Sequence, residues 1–489
     1  MLVGTRGSSV LDRVPADASD VAIGIRGCHG RPIFGMPENT NGQGDSGGRA
    51  VAYHAGGKII TDSSITSKAP DARLFHTGYG GWEPTLGITR RGEIFMDARN
   101  SNTDPEIIHS TDGGRTWTGS RPCSHVVSLD PYMWVDRRTG RVFDSDINAT
   151  VTCAPVSFTD NGGRTWTTRF SCGEADHETI FGGPPPAGGT RPHGYPDVVY
   201  FCAISGGIAT RSVSDSCSRS LDGGLTFAPT RQLPYGTNGP AQTSGPRGPA
   251  CGGGTGHGVV DSVGIVYLPR GRCGVPEVAI SRDEGITWQR VEVAPGSMPV
   301  QDGVYAHEAG IGVDGRGNAY YVWVDGRRRV RLAISHDRGV RWSKPMDITP
   351  PGARFAALPG IDVGAPGKIA IVFVATRDRT LSDATTWNGY MVESANALAR
   401  RPTWYGASIN GPSHNPLWIG SDCGPRRCGA MGDFFDVVIG PDGVARAALV
   451  DACPDESAED CGTTGFVRGI RRPRGEAILG VLLGGPTLR

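Results

Sequence analysis

The sequence predicts an all-β protein, a β-propeller of seven blades with four antiparallel strands in each blade. Three observations support this prediction. Glycine accounts for 74 of the 489 residues, about twice its usual share of ~7%, and this composition favours short strands joined by turns over long helices. One eight-residue pattern recurs along the chain, and a unit of strand, tight turn and strand precedes each copy.

The recurring pattern has the form Ser/Thr-x-Asp-x-Gly-x-Thr-Trp and is called a box below. Its five copies occupy residues 110–117, 159–166, 220–227, 281–288 and 335–342, and a weaker sixth runs from Ser394 to Trp404. The five starts lie 49, 61, 61 and 54 residues apart, which is the length of a four-stranded blade with a variable loop.

The composition of the box indicates a turn. A carboxylate or amide accepts backbone N–H bonds, glycine adopts a positive φ, and the final aromatic residue packs between sheets. The aspartates that we expect to lock turns rather than to catalyse are Asp112, Asp222, Asp283 and Asp337.

The inner strand–turn–strand units number seven. They begin near Glu83, Asp130, Tyr195, His257, Ile311, Pro359 and Asp433. No box follows the last unit, so we expect a strand from the other terminus or from residues 464–483 to close the final blade and protect its edge. Residues 1–50 are then a glycine-rich segment, irregular or partly closing the propeller, 51–470 are the propeller, and 471–489 are a C-terminal tail.

Composition and charge exclude several classes of function. Lysine plus arginine and aspartate plus glutamate both total 49, so the formal net charge is zero and nothing at the level of the chain attracts nucleic acid. No run of 18 apolar residues occurs, so we predict no membrane span. We expect a monomer.

The twelve cysteines favour disulfides over zinc, because no Cys-x-x-Cys occurs. The near pairs are Cys202/Cys217, Cys251/Cys273, Cys423/Cys428 and Cys453/Cys461. Disulfides indicate an oxidising compartment, which predicts an extracytoplasmic or secreted protein, although residues 1–25 contain no apolar segment of the kind found in signal peptides.

One motif is rejected as a catalytic centre. Residues 44–48 read Gly-Asp-Ser-Gly-Gly, which matches the nucleophile motif of chymotrypsin-like proteases. That family places its histidine and aspartate well before the serine, whereas only His29 precedes Ser46 among the histidines here. We interpret the segment as a loop.

The boxes resemble the Asp-box repeats of the sialidase superfamily, over about residues 75–460. The resemblance implies a propeller in which three arginines bind the substrate carboxylate, a tyrosine activated by a glutamate attacks the sugar, and an aspartate is the acid and base. The family's Phe/Tyr-Arg-Ile-Pro motif is absent, and the nearest string is Arg31-Pro32-Ile33-Phe34, so the resemblance assigns none of the arginines. Asp-box propellers also occur in proteins without this activity, so the fold does not settle function.

The starts of the innermost strands converge on one mouth of a propeller's channel, and here these starts are polar. The residues predicted to be catalytic are Glu83, Asp130, Tyr132, Tyr195, Asp197, Tyr305 and Glu308. Clustered carboxylates would raise one another's pKa and supply acid and base, and a tyrosine would be the nucleophile or a platform for sugar. The alternative is that the carboxylates bind strand N–H groups or a structural Ca2+, or that His257 and His307 bind a transition metal.

Two functional hypotheses remain. The first is a secreted, sialidase-like glycoside hydrolase that acts on sialic-acid-type or other glycans and requires no cofactor. The second is a non-catalytic propeller that binds a glycan or a protein through its loops.

Overall fold

The computed structural model describes residues 28–29, 44–99, 105–122, 130–147, 153–172, 176–205, 214–235, 255–270, 275–295, 309–411, 416–420, 431–453 and 475–489. The strands of the first half are β1 Cys28–His29, β2 Asp45–Arg49, β3 Val51–His54, β4 Lys58–Ile59, β5 Asp71–Gly80, β6 Leu86–Ile88, β7 Ile94–Arg99, β8 Pro105–Ser110, β9 Thr118–Ser120, β10 Asp130–Val135, β11 Val142–Ile147, β12 Cys153–Thr159, β13 Thr165–Cys172, β14 Asp176–Gly183, β15 Val198–Ser205, β16 Ser214–Ser220 and β17 Ala228–Pro229.

The strands of the second half are β18 Val259–Val260, β19 Val266–Arg270, β20 Glu277–Ser281, β21 Gln289–Glu292, β22 Gly310–Val313, β23 Ala319–Val324, β24 Val330–Ser335, β25 Met346–Asp347, β26 Phe355–Val363, β27 Ile369–Thr376, β28 Thr386–Ser394, β29 Trp404–Ser408, β30 Trp418–Ile419, β31 Asp436–Ile439, β32 Ala445–Asp451 and β33 Glu476–Leu483. One short helix, α1 Ser63–Thr66, is capped by the carboxylate of Asp62. No helix among the described residues is long and apolar enough to cross a membrane.

The described strands form seven antiparallel sheets. Six of them are blades whose four strands follow one another in the chain, and they are numbered in chain order: β6–β9, β10–β13, β14–β17, β18–β21, β22–β25 and β26–β29. The seventh, called the closing sheet, has the strand order β31-β32-β33-β5-β2 and so combines both ends of the described chain. The predicted count of seven blades is corrected: the structure has six blades of four consecutive strands, and its remaining sheet is a five-stranded composite.

The innermost strand of each sheet contacts the innermost strand of the next, and β31 contacts β6, which closes the ring. The prediction of closure by a strand from the other terminus or from residues 464–483 is confirmed, because β33 pairs with β5. β33 also extends the propeller past residue 470, where the sequence predicts a tail. Four short strands among the described residues add to the blades: β1 pairs with β13, β30 pairs with β28, and β3 and β4 extend the sixth blade beyond β29.

The core lies between neighbouring sheets, so strands in the middle of a blade are buried on both faces. All eight residues of β27 are buried, for example. Successive side chains of such a strand point to opposite faces of the sheet and therefore contact different neighbouring sheets. Apolar residues on both faces are the expected consequence, and a polar residue in such a strand requires a separate explanation.

Two disulfides join residues that lie directly opposite each other on paired strands. Cys153–Cys172 links β12 to β13 and Cys202–Cys217 links β15 to β16. The second of these is a predicted near pair, and that prediction is confirmed. The described part of the chain has no free cysteine. Five cysteines of the other predicted pairs lie outside it: Cys251, Cys273, Cys423, Cys428 and Cys461.

Candidate active site

A cavity of about 580 Å3 runs along the axis of the ring and is lined by the innermost strands of all seven sheets. Its two ends differ. The innermost strands begin at one end, called the mouth end. They finish at the other end. The third strand of a blade runs in the same direction as the innermost strand, so the boxes, which connect the third strand to the fourth, also lie at this other end. This second end is called the box end.

Glu83 lies at the mouth end, just before β6, and is buried. Its Oε1 accepts a hydrogen bond of 2.8 Å from the backbone N–H of Asp433, which precedes β31. Glu83 therefore ties the first blade to the closing sheet at the point where the ring closes. This contact matches the structural alternative for the predicted carboxylates, in which they bind N–H groups of the strands.

Tyr132 lies on β10 with its ring in the channel. Its hydroxyl accepts a hydrogen bond of 3.3 Å from Thr179, and its ring meets that of His257 edge to face at 4.8 Å between centroids.

Burial lowers the pKa of His257 to about 4, and burial raises the pKa of the nearby Asp436 to about 7. Both groups are neutral between these values, so the 4.0 Å approach of Nδ1 to Oδ1 is not an ion pair at mildly acidic pH.

Three other predicted residues are only partly described or not described. Asp130 begins β10 at the mouth end, opposite Ile147 of β11; nothing is described of its side chain. Tyr305 and Glu308 lie outside the described residues. Their roles stay predictions.

Tyr195 and Asp197 lie at the box end, and their predicted place at the mouth needs correction. The innermost strand of the third blade is β14, so the strand that follows Tyr195 is the second strand, β15. The Tyr195 hydroxyl donates to the carboxylate of Asp136 and lies 2.9 Å from the hydroxyl of Thr139, both in the turn between β10 and β11. Asp197 accepts a 2.7 Å hydrogen bond from Arg138 of the same turn.

The chemistry of Tyr195 also argues against a nucleophile. Its ring is buried, and burial together with the charge of Asp136 raises the pKa of its phenol far above the ordinary value. A phenol in this state donates a hydrogen bond and does not ionise. Tyr195 and Asp197 hold the second and third blades together.

A carboxylate cluster that the sequence analysis did not single out lies between the first two blades at the mouth end. On β7, Phe95 points toward the second blade, and Asp97 lies two residues further on the same face. On β11, Val142 points toward the first blade, followed on its face by Asp144 and Asp146. Phe95 and Val142 belong to one apolar cluster, so the space between the blades changes from apolar to acidic toward the mouth.

All three carboxylates of this cluster, Asp97, Asp144 and Asp146, are buried at 1% exposure or less. Both oxygens of Asp144 are inaccessible and accept no hydrogen bond from the described residues. Burial, and next the charges of Asp146 and Asp97, raise the pKa of Asp144 well above its ordinary value. Asp144 therefore keeps its proton to a higher pH than an ordinary carboxyl, which is a property that general acids need.

A second charged group lies at the same end, between the third and fourth blades. Asp215, near the start of β16, is fully buried, and burial raises its pKa to about 7 against the opposing charges of Arg270 and His177. Arg270 ends β19 and is the one buried arginine among the described residues. Its guanidinium lies 4.8 Å from the centroid of the Tyr235 ring.

The signal for these residues was present in the sequence. Asp144, Asp146 and Asp215 interrupt strands whose other positions are mostly apolar or small, and a buried strand does not tolerate a carboxylate without a reason. The described residues contain no group of three histidine, cysteine, aspartate or glutamate side chains arranged to hold a metal ion.

No protein-family model matches the chain, and no curated protein matches it. Among solved structures, the chain is similar to the NanB sialidase from Streptococcus pneumoniae, with 14% identity over 80% of this chain and 69% of that chain and a TM-score of 0.40. It is also similar to the Hadza microbial sialidase Hz136, with 17% identity over 68% of this chain and 66% of that chain and a TM-score of 0.38. A third is the Aleuria aurantia lectin, with 11% identity over 68% of this chain and 97% of that chain and a TM-score of 0.41.

These likenesses include sialidases, the superfamily that the boxes resemble. Their identities and TM-scores are too low to carry an argument about the activity of this chain. The propeller fold rests on the described sheets themselves.

Proposed function

We propose that this protein is a sialidase-like glycoside hydrolase that acts on a sialic-acid-type or other glycan at the mouth end of its channel. The observation that carries the proposal is the carboxylate cluster of Asp97, Asp144 and Asp146, in which one buried carboxyl retains its proton. Hydrolysis of a glycosidic bond needs a protonated group that gives a proton to the leaving oxygen and an anionic group that supports the positive charge on the sugar.

The residues have separable roles in this proposal. Asp144 is the proton donor, because its pKa is raised by burial and by its two acidic neighbours. Its oxygens are inaccessible, so it passes the proton through a water or a neighbouring carboxyl and not by direct contact with the glycan. Asp146 lies opposite Pro131 on β10, so Asp130, one of the residues predicted to be catalytic, begins the strand beside it. Tyr132 offers a ring on which a sugar can stack, and Tyr305 and Glu308 keep their predicted roles.

Secretion belongs to the same proposal. Two disulfides among the described residues fit an oxidising compartment. A glycan displayed outside a cell is also the substrate that a secreted hydrolase would meet.

The alternative function is a non-catalytic propeller that binds a glycan or a protein. Glu83 favours it, since this predicted catalytic carboxylate joins the first blade to the closing sheet. In that case the acidic cluster would serve the fold or bind a cationic group, and no glycan would be cleaved.

The test is the turnover of a fluorogenic sialoside beside a panel of neutral glycosides, by the wild-type protein and by Asp144→Asn. Loss of a general acid is expected to lower turnover by about 100-fold or more. The matched control is Glu393→Gln, which also replaces a buried carboxyl by an amide. Burial raises the pKa of Glu393 to about 8, as it raises that of Asp144. Glu393 lies on β28 near the box end, however, so turnover by the Glu393→Gln variant should stay within about twofold of the wild type.

Two results would contradict this proposal, the first its site and the second its activity. Full turnover by a folded Asp144→Asn would remove Asp144 from the mechanism. Absence of turnover by the folded wild type on every glycoside of the panel would favour the binding propeller.

A further inference from the structure

A second cavity, of about 650 Å3, opens at the box end between the first and second blades. We call it the arginine groove. Its rim consists of the turn between β6 and β7, the turn between β10 and β11, and the box of the second blade. Its volume is within the ~300–1,000 Å3 of ligand pockets, and it lies at the opposite end of the strands from the acidic cluster.

Five arginines line the arginine groove, against two carboxylates. They are Arg90, Arg91, Arg137, Arg138 and Arg164, and the carboxylates are Glu93 and Asp160. This ratio is unusual for a chain whose formal net charge is zero.

Two of the arginines are already neutralised. Arg137 pairs with Asp362 at 3.1 Å and Arg138 with Asp197 at 2.7 Å. The carboxylate of Asp160 is likewise taken, because Arg141 binds both its oxygens at 2.7 Å. These pairs position the turns and leave no net charge.

The other three arginines, Arg90, Arg91 and Arg164, are exposed and have no salt-bridge partner among the described residues. Arg164 donates one hydrogen bond of 3.0 Å to the carbonyl of Asn161. Glu93 accepts a hydrogen bond from the hydroxyl of Thr89. Three cations therefore face one carboxylate, and the groove carries a net positive charge.

The floor of the groove adds a neutral donor. The ring of His109 stacks flat on Phe95, with 4.3 Å between centroids and 9° between planes. Its Nε2 is inaccessible and makes no hydrogen bond to the described residues, so Nδ1 is the ring nitrogen that would reach a ligand in the groove. Burial lowers the pKa of His109, so at neutral pH the ring is uncharged and can present one N–H group.

We infer that the arginine groove binds an oxyanion group, a sulfate or phosphate ester, through Arg90, Arg91 and Arg164, with His109 beneath it. Guanidinium groups match the geometry of such oxyanions and form charge-assisted hydrogen bonds with them. The inference does not depend on the proposed hydrolase, because the groove shares no residue with the acidic cluster.

The test measures binding of galactose 6-sulfate, glucose 6-phosphate and unmodified galactose by calorimetry at low ionic strength. Saturable binding of either ester, without binding of galactose, is the expected result, and the tighter ester identifies the source of the oxyanion. The triple variant Arg90→Gln/Arg91→Gln/Arg164→Gln should bind about tenfold more weakly or worse.

A matched control separates a built site from general charge attraction. Arg115→Gln/Arg282→Gln/Arg341→Gln removes three exposed arginines of other boxes on the same end of the molecule, and it should bind within about twofold of the wild type. His109→Phe keeps the stacking on Phe95 and removes the ring nitrogens, so it should weaken binding severalfold. Absence of binding to both esters by the wild type, or an equal loss in the two triple variants, would overturn the inference.

Discussion

The aspartate of each box is the acceptor at the centre of its turn. In the third blade, Asp222 accepts hydrogen bonds from the Ser220 hydroxyl at 2.7 Å, the Leu225 N–H at 3.1 Å, and the N–H and hydroxyl of Thr226 at 2.9 and 2.6 Å. Burial would raise the pKa of Asp222, but these hydrogen bonds together hold it below its ordinary value. The expectation that the box aspartates lock turns is confirmed.

The glycine of the box shows why the pattern repeats. Gly224 has a φ of 93°, and a Cβ at this position would lie 2.9 Å from a ring carbon of Phe143 in the second blade. A larger residue would be strained and would also push the blades apart. The box is therefore a turn and a contact between blades at once.

Asp222→Ala should lower the free energy of unfolding by about 1–3 kcal/mol, because it leaves four donors of the turn without their acceptor. Asp222→Asn should cost much less. The second blade already has an asparagine there, and Asn161 accepts from the N–H of Thr165 at 2.9 Å and donates to its hydroxyl at 2.7 Å. Urea unfolding of the two variants checks this, and equal losses would show that charge, not the acceptor, stabilises the turn.

Single residues were also where prediction from sequence failed. Tyr195 precedes an apolar run that has every property of an inner strand, yet that run is β15, the second strand of its blade. It is buried because neighbouring sheets pack on both of its faces. The true inner strand, β14, contains His177, Glu178 and Thr179, which hide its apolar pattern. Polar residues at a functional site and polar residues at a turn look the same in a sequence. Only the observed pairing of the strands shows which of the two a given segment is.

At the scale of elements, the closing sheet depends on a charged contact between its strands. His76 of β5 lies with Nδ1 2.7 Å from a carboxylate oxygen of Glu476 on β33, and with Nε2 3.3 Å from Asp45 on β2. The hydrogen bond to Glu476 raises the pKa of His76 to about 9, against burial and with help from the charges of Glu476, Asp451 and Asp45. The imidazolium thus joins three strands that come from both ends of the described chain.

His76→Gln should destabilise the protein in a pH-dependent way. Because the pKa of His76 is raised in the folded state, its contribution is complete below its unfolded value of ~6.5 and is lost as the pH rises through about 9. We expect a deficit of about 2 kcal/mol in the free energy of unfolding at pH 6 that disappears by about pH 10. Urea unfolding of both proteins across this range measures it, and a deficit that stays constant with pH would argue against the charged contact.

The elements were largely predictable from the sequence because each repeats its own chemistry. The boxes marked the end of the third strand in five blades, and the missing box after Asp433 indicated a composite closure. The short strands β3 and β4, which extend the sixth blade, left no periodic pattern, since four and two residues are too few to show one.

At the scale of the whole molecule, the acidic cluster and the arginine groove lie at opposite ends of the ring. The mouth end gathers buried acids whose pKa values burial raises, with Asp144 and Asp215 on neighbouring blades. The box end carries the arginines of turns and boxes. This division was not visible in a sequence whose charges balance, because the residues of each end are separated by whole strands along the chain.

The proposed chemistry at the mouth requires that Asp144 be protonated near neutral pH, whatever glycan is bound. The most direct measurement is therefore a carboxyl-carbon NMR titration of the wild-type protein labelled on aspartate, compared with Asp144→Asn. We predict an aspartate signal that keeps the shift of a protonated carboxyl well above the ordinary pKa of ~3.9 and is absent from the variant. The signal of Asp144 is the wild-type signal that is missing from Asp144→Asn. If that signal titrated near the ordinary pKa of an aspartate, Asp144 could not act as the acid and the proposed site would be contradicted.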